Sequence, residues 1–428
     1  MLYFDIYCFS PFEFNVKTYI FDLPKLLFMR KMKNNINRRK FLSTGITGFT
    51  GAMVLSSPFA KGQTSEQEKK IVYRTLGKTG IKVPVISFGV MRADSPALCK
   101  AAYDNGINFF DTANVYQGGN NETMLGNFFK NLPRSSFIVE TKVKPAGVGR
   151  DGLPTAQTTA EDFLGKFKES LSRLQLDYVD ILLIHDVSNP ELLKHKPLIS
   201  ALTQLKKEKK TRFVGFSTHS NMAVMLQEAA NSDFWDVVLT SFNFMLNNID
   251  EMNQAIKKAA DAGIGIVVMK SLAGGFMDKE RKKPVNATLA LKWVLSNPNV
   301  HTIIPGMTSF DHLETNLKVL ADPVMTEQEK QELLAMAGEP GLFCVNCNKC
   351  LNACPYNLPV PDLMRAYMYA YGYANLRMAY DLLGELGTGV SPCINCTECK
   401  VQCTKGFDIR TKIADVSRLV SMPADLIA

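Results

Sequence analysis

Eight of the ten cysteines in this 428-residue chain fall between Cys344 and Cys403. They form two runs of identical spacing: Cys344-x2-Cys347-x2-Cys350-x3-Cys354 followed by proline, and Cys393-x2-Cys396-x2-Cys399-x3-Cys403 followed by threonine. Thiolates at this spacing wrap a cubane, three from one run and the fourth from the other. One [4Fe–4S] cluster is then expected on Cys344, Cys347, Cys350 and Cys403, and a second on Cys393, Cys396, Cys399 and Cys354. Structural zinc and disulfides are the other readings of clustered cysteines, and repetition of the whole four-cysteine run weighs against both.

This is the run of the bacterial ferredoxins. Between its two copies, Leu363–Tyr371 and Ala374–Leu383 have helical patterns, so the module resembles an α-helical ferredoxin rather than the compact β-rich kind. Its tyrosines (Tyr367, Tyr369, Tyr371, Tyr373, Tyr380) are expected to pack between helices and clusters. Thr326–Ala337, with Glu327, Glu329 and Glu332, reads as a helix joining this module to what precedes it. Of the two spare thiols, Cys8 lies in the leader and Cys99 is expected to be buried on a helix.

The net charge is +8, but residues 1–62 carry nine bases and three acids, leaving only +2 for the rest. That balance argues against a nucleic-acid surface, and the composition argues against an integral membrane bundle. Arg38-Arg39-Lys40-Phe41-Leu42 precedes an uncharged run of small and apolar residues, Ser43 to Phe59. A basic segment, a short apolar stretch and Ala60-Lys61-Gly62 resemble a twin-arginine export signal, which carries proteins already folded. The expectation is a leader over 1–62 and a periplasmic protein, cytoplasmic if the leader does not function. The residues before Met32 fit neither a signal nor a domain start and suggest Met29 or Met32 as the true start.

From Ile71 onward, short apolar runs alternate with amphipathic stretches. Eight runs are visible: Val85–Val90, Ile107–Phe110, Phe137–Thr141, Tyr178–Ile184, Arg212–Phe216, Asp236–Thr240, Gly263–Met269 and His301–Ile304. Such runs suit parallel strands buried on both faces. Helical patterns such as Ala160–Leu174 and Met252–Asp261 lie between them. Eight repeats in about 250 residues have the rhythm of a (β/α)8 barrel. A doubly wound sheet is the competing arrangement, but no G-x-G-x-x-G follows a strand. A barrel does its chemistry where its strands end, and the residues there are Asp111, Lys142, His185, Ser217, Asn243 and Lys270. A lysine ending a buried strand needs a partner, and Asp111 could serve Lys142.

Phe109-Phe110-Asp111-Thr112-Ala113-Asn114-Val115-Tyr116, then Asn121-Glu122 and Leu125-Gly126, resembles the first signature of the aldo/keto reductases. Thr141-Lys142 resembles the strand of that family's catalytic lysine. Ser170 to Asp180, leading to His185, resembles its second signature, and Tyr73 to Gly80 its opening hairpin. The resemblance spans about residues 71–325. It implies a catalytic tetrad of Asp111, Tyr116, Lys142 and His185. Tyr116 is the implied general acid, Lys142 (held by Asp111) lowers its pKa, and His185 orients the carbonyl oxygen.

The resemblance carries cofactor contacts over less evenly. Asn243 and Ser217 match nicotinamide-site residues, Ile303 to Met307 with Asn316 matches the adenosine end, and Lys270 is a candidate for the pyrophosphate. Yet Thr218, Leu239 and Met269 stand where the family usually has asparagine, glutamine and tyrosine. Gly306 and His312 replace its two 2′-phosphate cations, so NADP and NAD both stay open. The sequence thus points to a barrel over 71–325 and a helical module over 326–428. The expected function is a nicotinamide-linked oxidoreductase acting on a small carbonyl or alcohol, with two clusters and a redox partner protein to be considered. The alternative is an iron–sulfur electron-transfer or binding subunit with a non-catalytic barrel.

Overall fold

The computed structural model describes residues 70–338, 340–389 and 392–427. The expected leader over 1–62, with Arg38-Arg39, and Cys8 lie outside these residues.

The described chain opens with an antiparallel hairpin, β1 (Tyr73–Thr75) and β2 (Lys82–Pro84). Eight parallel strands follow: β3 (Phe88–Gly89), β4 (Phe109–Asp111), β5 (Ile138–Val143), β6 (Val179–Ile184), β7 (Thr211–Thr218), β8 (Val237–Ser241), β9 (Gly265–Met269) and β10 (Thr302–Ile303). Each neighbours the next in sequence order, and parallel bridges Ile86↔Ile303 and Gly89↔Gly306 join the first to the last. The sheet is therefore a closed (β/α)8 barrel, with a strand at each of the eight apolar runs.

Helices α1 (Pro96–Asp104), α2 (Asn120–Phe129), α3 (Ala160–Leu174), α4 (Pro190–Leu193), α5 (Lys196–Lys207), α6 (Met222–Ala230), α7 (Ile249–Asp261), α8 (Ala287–Leu295) and α9 (Phe310–Ala321) lie between and after the strands. Local chemistry sets their ends. Thr159 accepts a bond from Asp162 N at the start of α3, and Gln175 closes that helix in the left-handed conformation. Cys99 is buried on α1.

The pleat divides the strands' side chains between two cores. Outward residues such as Phe110, Val139, Leu182 and Phe216 pack beneath the helices. Inward residues Phe109, Ile138, Ile181, Leu183, Val237, Leu239 and Val267 fill the barrel, together with Leu76, Ile81 and Val83 from the hairpin. The hairpin thus plugs one end of the barrel. Gly77 makes the plug possible: its φ is +49°, and a Cβ there would lie 2.4 Å from Gly263 O. Salt bridges of Asp180 to Arg134 and Arg212, both 2.7 Å, tie strands near that end.

After the barrel, α10 (Glu327–Met336) begins with a capping box between Thr326 and Glu329. It packs on α8 through a Lys292–Glu329 ion pair of 2.9 Å, and Leu333 enters the outer core. The cysteine module holds α11 (Val360–Tyr371), α12 (Leu376–Leu386) and α13 (Ile409–Ser417), with α11 packed on both others. It has its own apolar centre, including Leu363, Met364, Leu383 and Ile413. Among the described residues, no helix is long and apolar enough to cross a membrane.

Candidate active site

At the barrel mouth, opposite the hairpin, four of the expected residues converge. Asp111 ends β4 and Lys142 lies near the end of β5; Asp111 Oδ1 and Lys142 Nζ are 2.6 Å apart, and both side chains are almost fully buried. Lys142 Nζ also donates to Thr112 O at 2.6 Å. The ammonium lies over the Tyr116 ring, 4.8 Å from its centroid. His185, directly after β6, sets its ring edge-on to Tyr116 at 5.7 Å. Its Nδ1 is buried with no hydrogen-bond partner among the described residues.

The electrostatics correct one expectation. Lys142 does pull the Tyr116 pKa down, but burial pushes it up more strongly, to about 12. Tyr116 keeps part of its surface exposed, which weakens that push relative to a sealed phenol. The site thus holds a neutral phenol with an ammonium beside it. Burial, then Lys142, brings His185 down to about 3, so the imidazole is neutral. Burial raises Asp111, against the pull of Lys142.

Asn121 and Glu122, within the first signature, are structural. Asn121 donates to Val90 O at 2.8 Å and accepts from Thr112 at 2.7 Å. Glu122 takes Thr141 Oγ1 at 2.6 Å and Arg173 at 2.8 Å, pinning α2 and α3 to the strands.

The expected cofactor residues surround the same mouth, but several are spent on the backbone. Ser217 Oγ accepts from Asp186 N at 2.9 Å. Asn243 donates to Lys270 O at 3.0 Å and accepts from Met245 N at 3.0 Å. Asn316 is buried on α9. Lys270, with φ of +57°, is brought down to about 7 by burial and then Arg365. Leu239 lies wholly buried in the inner core and offers no polar contact.

The sequence reading missed the roof. Helix α11 and the turn after it cross the mouth and touch loops following four strands. Arg365 meets His219 Nε2 at 3.0 Å and Asp186 Oδ2 at 3.5 Å, and also pairs with Asp362. His219 reaches Asp186 at 3.2 Å. Arg92, after β3, donates to Tyr373 O at 2.7 Å and lies over the Tyr373 ring. A Cβ on Gly372 would lie 2.8 Å from Gly274 O, so only glycine permits this approach. Tyr369 and Tyr373 stack on each other and lie in the electrostatic reach of Tyr116. Tyr373 packs on the barrel's outer core, whereas Tyr369 packs on both that core and the module's apolar centre.

Cys344, Cys347, Cys350 and Cys403 line one cavity with Val360, Met364, Phe407 and Ile409. All four are free thiols, and Lys405 N donates to Cys403 Sγ at 3.4 Å. Among the described residues no His, Cys, Asp or Glu group of three closes on one metal ion. A ring of four thiols about an apolar cavity suits a cubane better than a single zinc. In the other set, Cys393 and Cys354 join the module's apolar centre, Cys396 is buried and Cys399 is exposed. The cysteine loop is sewn to the barrel: Asn346 donates to Ser220 at 3.0 Å, and Asn247 to Thr404 at 3.1 Å.

Comparison with known proteins agrees with both halves. Residues 87–287 match the aldo/keto reductase family and residues 343–409 a 4Fe-4S dicluster domain. L-galactose dehydrogenase of Arabidopsis thaliana is 31% identical over 291 residues, covering 59% of this chain and 89% of that one. The chain belongs to the aldo/keto reductase family. An aldo-keto reductase of Alternaria alternata is 29% identical over 249 residues, 49% of this chain and 68% of that one. The barrel also superposes on the holo form of a Bacillus halodurans aldo-keto reductase, with a TM-score of 0.51 at 22% identity, over 62% of this chain and 96% of that one. This family member is an oxidoreductase that binds iron–sulfur.

Proposed function

We propose that the chain is a nicotinamide-dependent reductase of small carbonyl compounds, reversible toward the alcohol, with Asp111, Tyr116, Lys142 and His185 as its catalytic tetrad. The convergence of those four side chains carries this reading. NAD(P)H, when bound, supplies hydride to the carbonyl carbon. Tyr116 then gives its proton to the oxygen as charge develops there, a step worth about 10²–10⁴ in rate. Lys142, one bond from Asp111, stabilises the phenolate left behind. His185, neutral throughout, offers a fixed donor to the oxygen rather than a second acid. Ser217, Asn243, Lys270 and Asn316 are the residues that would hold the dinucleotide. With Gly306 and His312 in place of cations, NAD(H) and NADP(H) are both to be tried.

The same reading gives the module two [4Fe–4S] clusters on the two cysteine sets. Hydride moves two electrons and each cluster one, and the chain carries no flavin fingerprint. Three readings follow: the clusters are mainly structural and hold α11 over the mouth, they serve a separate redox partner protein, or a bound flavin without a sequence fingerprint links them to the barrel. Export by the twin-arginine route, to the periplasm, suits a protein that must acquire clusters before crossing a membrane.

A second reading, an iron–sulfur electron-transfer subunit with a silent barrel, draws on the committed Ser217 and Asn243 and the apolar Leu239. One experiment separates the two. Anaerobic protein is given NADPH or NADH with a panel of aldehydes and ketones, while nicotinamide oxidation and cluster bleaching are followed separately. Carbonyl-dependent oxidation lost in Tyr116→Phe supports the enzyme. Silence in nicotinamide oxidation, with clusters reducible by dithionite, supports the subunit.

A further inference from the structure

Inside the barrel lies a second carboxyl that the tetrad does not use. Glu140 belongs to β5, two residues before Lys142, so the pleat turns both side chains inward. Its Cα pairs with that of Asp111 across the parallel ladder, and on the other side with Ile181. Glu140 is wholly buried, and the interior rows around it are apolar: Phe109, Ile181, Leu183 and Leu239. The pairing and the shared inward orientation set its carboxyl beside that of Asp111, which is also buried. Among the described residues, no donor serves either of its oxygens.

Charge balance decides its state. One ammonium, Lys142, faces two carboxyls in a dry interior, and it sits 2.6 Å from Asp111. A second carboxylate would stand uncompensated in a low dielectric, a cost that proteins escape by keeping the proton. Burial, and then the charge of Asp111, push Glu140 well above the usual carboxyl range. A neutral carboxylic acid has one O–H to give, and Asp111 is the acceptor in reach.

We propose that Glu140 is a positioning residue, held as the neutral acid, whose O–H donates to Asp111 and fixes that carboxylate as the anion Lys142 needs. Asp111 is then gripped by the ammonium and by the acid on the neighbouring strand. Lys142 cannot swing away from the Tyr116 hydroxyl without breaking this arrangement. Glu140 touches neither substrate nor cofactor, and acts through Asp111 and Lys142. The inference rests on reading the tetrad as catalytic, but its main test does not require turnover.

Infrared spectra of the holoprotein at neutral pH should show a protonated-carboxyl C=O stretch that disappears in Glu140→Gln. The glutamine keeps the size and a donor, so this variant should retain kcat, cofactor affinity and the alkaline limb of the pH profile. Glu140→Leu removes the donor; kcat should fall roughly hundredfold through misplacement of the ammonium, with cofactor affinity unchanged and the alkaline limb displaced. If Glu140→Leu does not fold, the infrared band and the Glu140→Gln kinetics still decide. No protonated-carboxyl band assignable to Glu140, or Glu140→Gln as impaired as Glu140→Leu, overturns the proposal. A wild-type protein inactive on every carbonyl but showing the band would sink the proposed reaction and leave the buried acid standing.

Discussion

The barrel mouth and the cysteine module both assemble reactive side chains, but they recruit them over very different lengths of chain. Asp111, Tyr116, Lys142 and His185 come from three successive strand ends, and parallel registers such as Asp111↔Glu140 and Lys142↔Leu183 bring them together. Their geometry is complete in the protein alone, down to the 2.6 Å ion pair. The thiols come from two short runs lying mostly in loops and single turns, and four of them ring a cavity instead of touching. Sheet hydrogen bonds preorganise the first centre. The second is set by loops that border the module's own apolar centre and are hydrogen-bonded to the barrel. Helix α11 belongs to the second system yet roofs the first.

The sharpest way to break this comparison is at the preformed centre. Tyr116→Phe should lower carbonyl reduction by about 10²–10⁴, with nicotinamide affinity and the iron–sulfur spectrum unchanged; surviving turnover would remove Tyr116 from the chemistry. Next comes the bound centre. Cys344→Ser should abolish one cluster's signal in electron paramagnetic resonance and raise the substrate KM about tenfold, equivalent to about 1.4 kcal/mol. An unchanged KM would mean that the roof stands without its iron.

An effect of comparable size, on stability alone and with the clusters intact, is expected where the systems meet. Arg365→Met leaves Asp186 without its cation. Removing one partner of a buried pair costs about 3–5 kcal/mol; with 12% of the Arg365 side chain exposed and His219 still beside Asp186, about 2 kcal/mol is the reasonable figure. Urea melts would register it, and an unchanged midpoint would show that α11 is held by packing alone.

The smallest effect separates the mouth from the strand starts. His301 begins the approach to β10, accepts from Ile266 N at 2.8 Å, and is brought by burial from 6.5 down to about 4. Its folded-state pKa lies below its unfolded value, so the unfolded chain binds more protons between pH 6.5 and about 4, and stability falls as pH drops through that window. His301→Gln should flatten the decline by about 1–2 kcal/mol, allowing for partial exposure. The urea midpoint measured across those pH values checks it, and an equal slope in both proteins would rule His301 out as the source.

Much of this was legible in the residues. Apolar runs of β-branched and aromatic residues marked all eight strands, because strands buried on both faces have no polar side to blur them. The tetrad could be named because its members sit in recognisable motifs, and the eight cysteines because the spacing within each run is local. Burial was harder to read. Sequence suggested that Lys142 sets the pKa of Tyr116, whereas desolvation, a property of everything packed around the phenol, outweighs it. Glu140 carries no local signal of its place, because only the strand register puts it beside Asp111. Arg365 and Tyr373 could not be foreseen at the mouth, since no local pattern reports a contact between a module helix and loops far upstream.

The roof also orders events in time. Every residue of the tetrad is synthesised long before Val360 to Tyr373, so a newly made barrel has its acid in place but its mouth open to water. The mouth closes only after the segment from Val360 to Tyr373 has been made and has docked, so the enclosure is the last part of the barrel's surroundings to be completed.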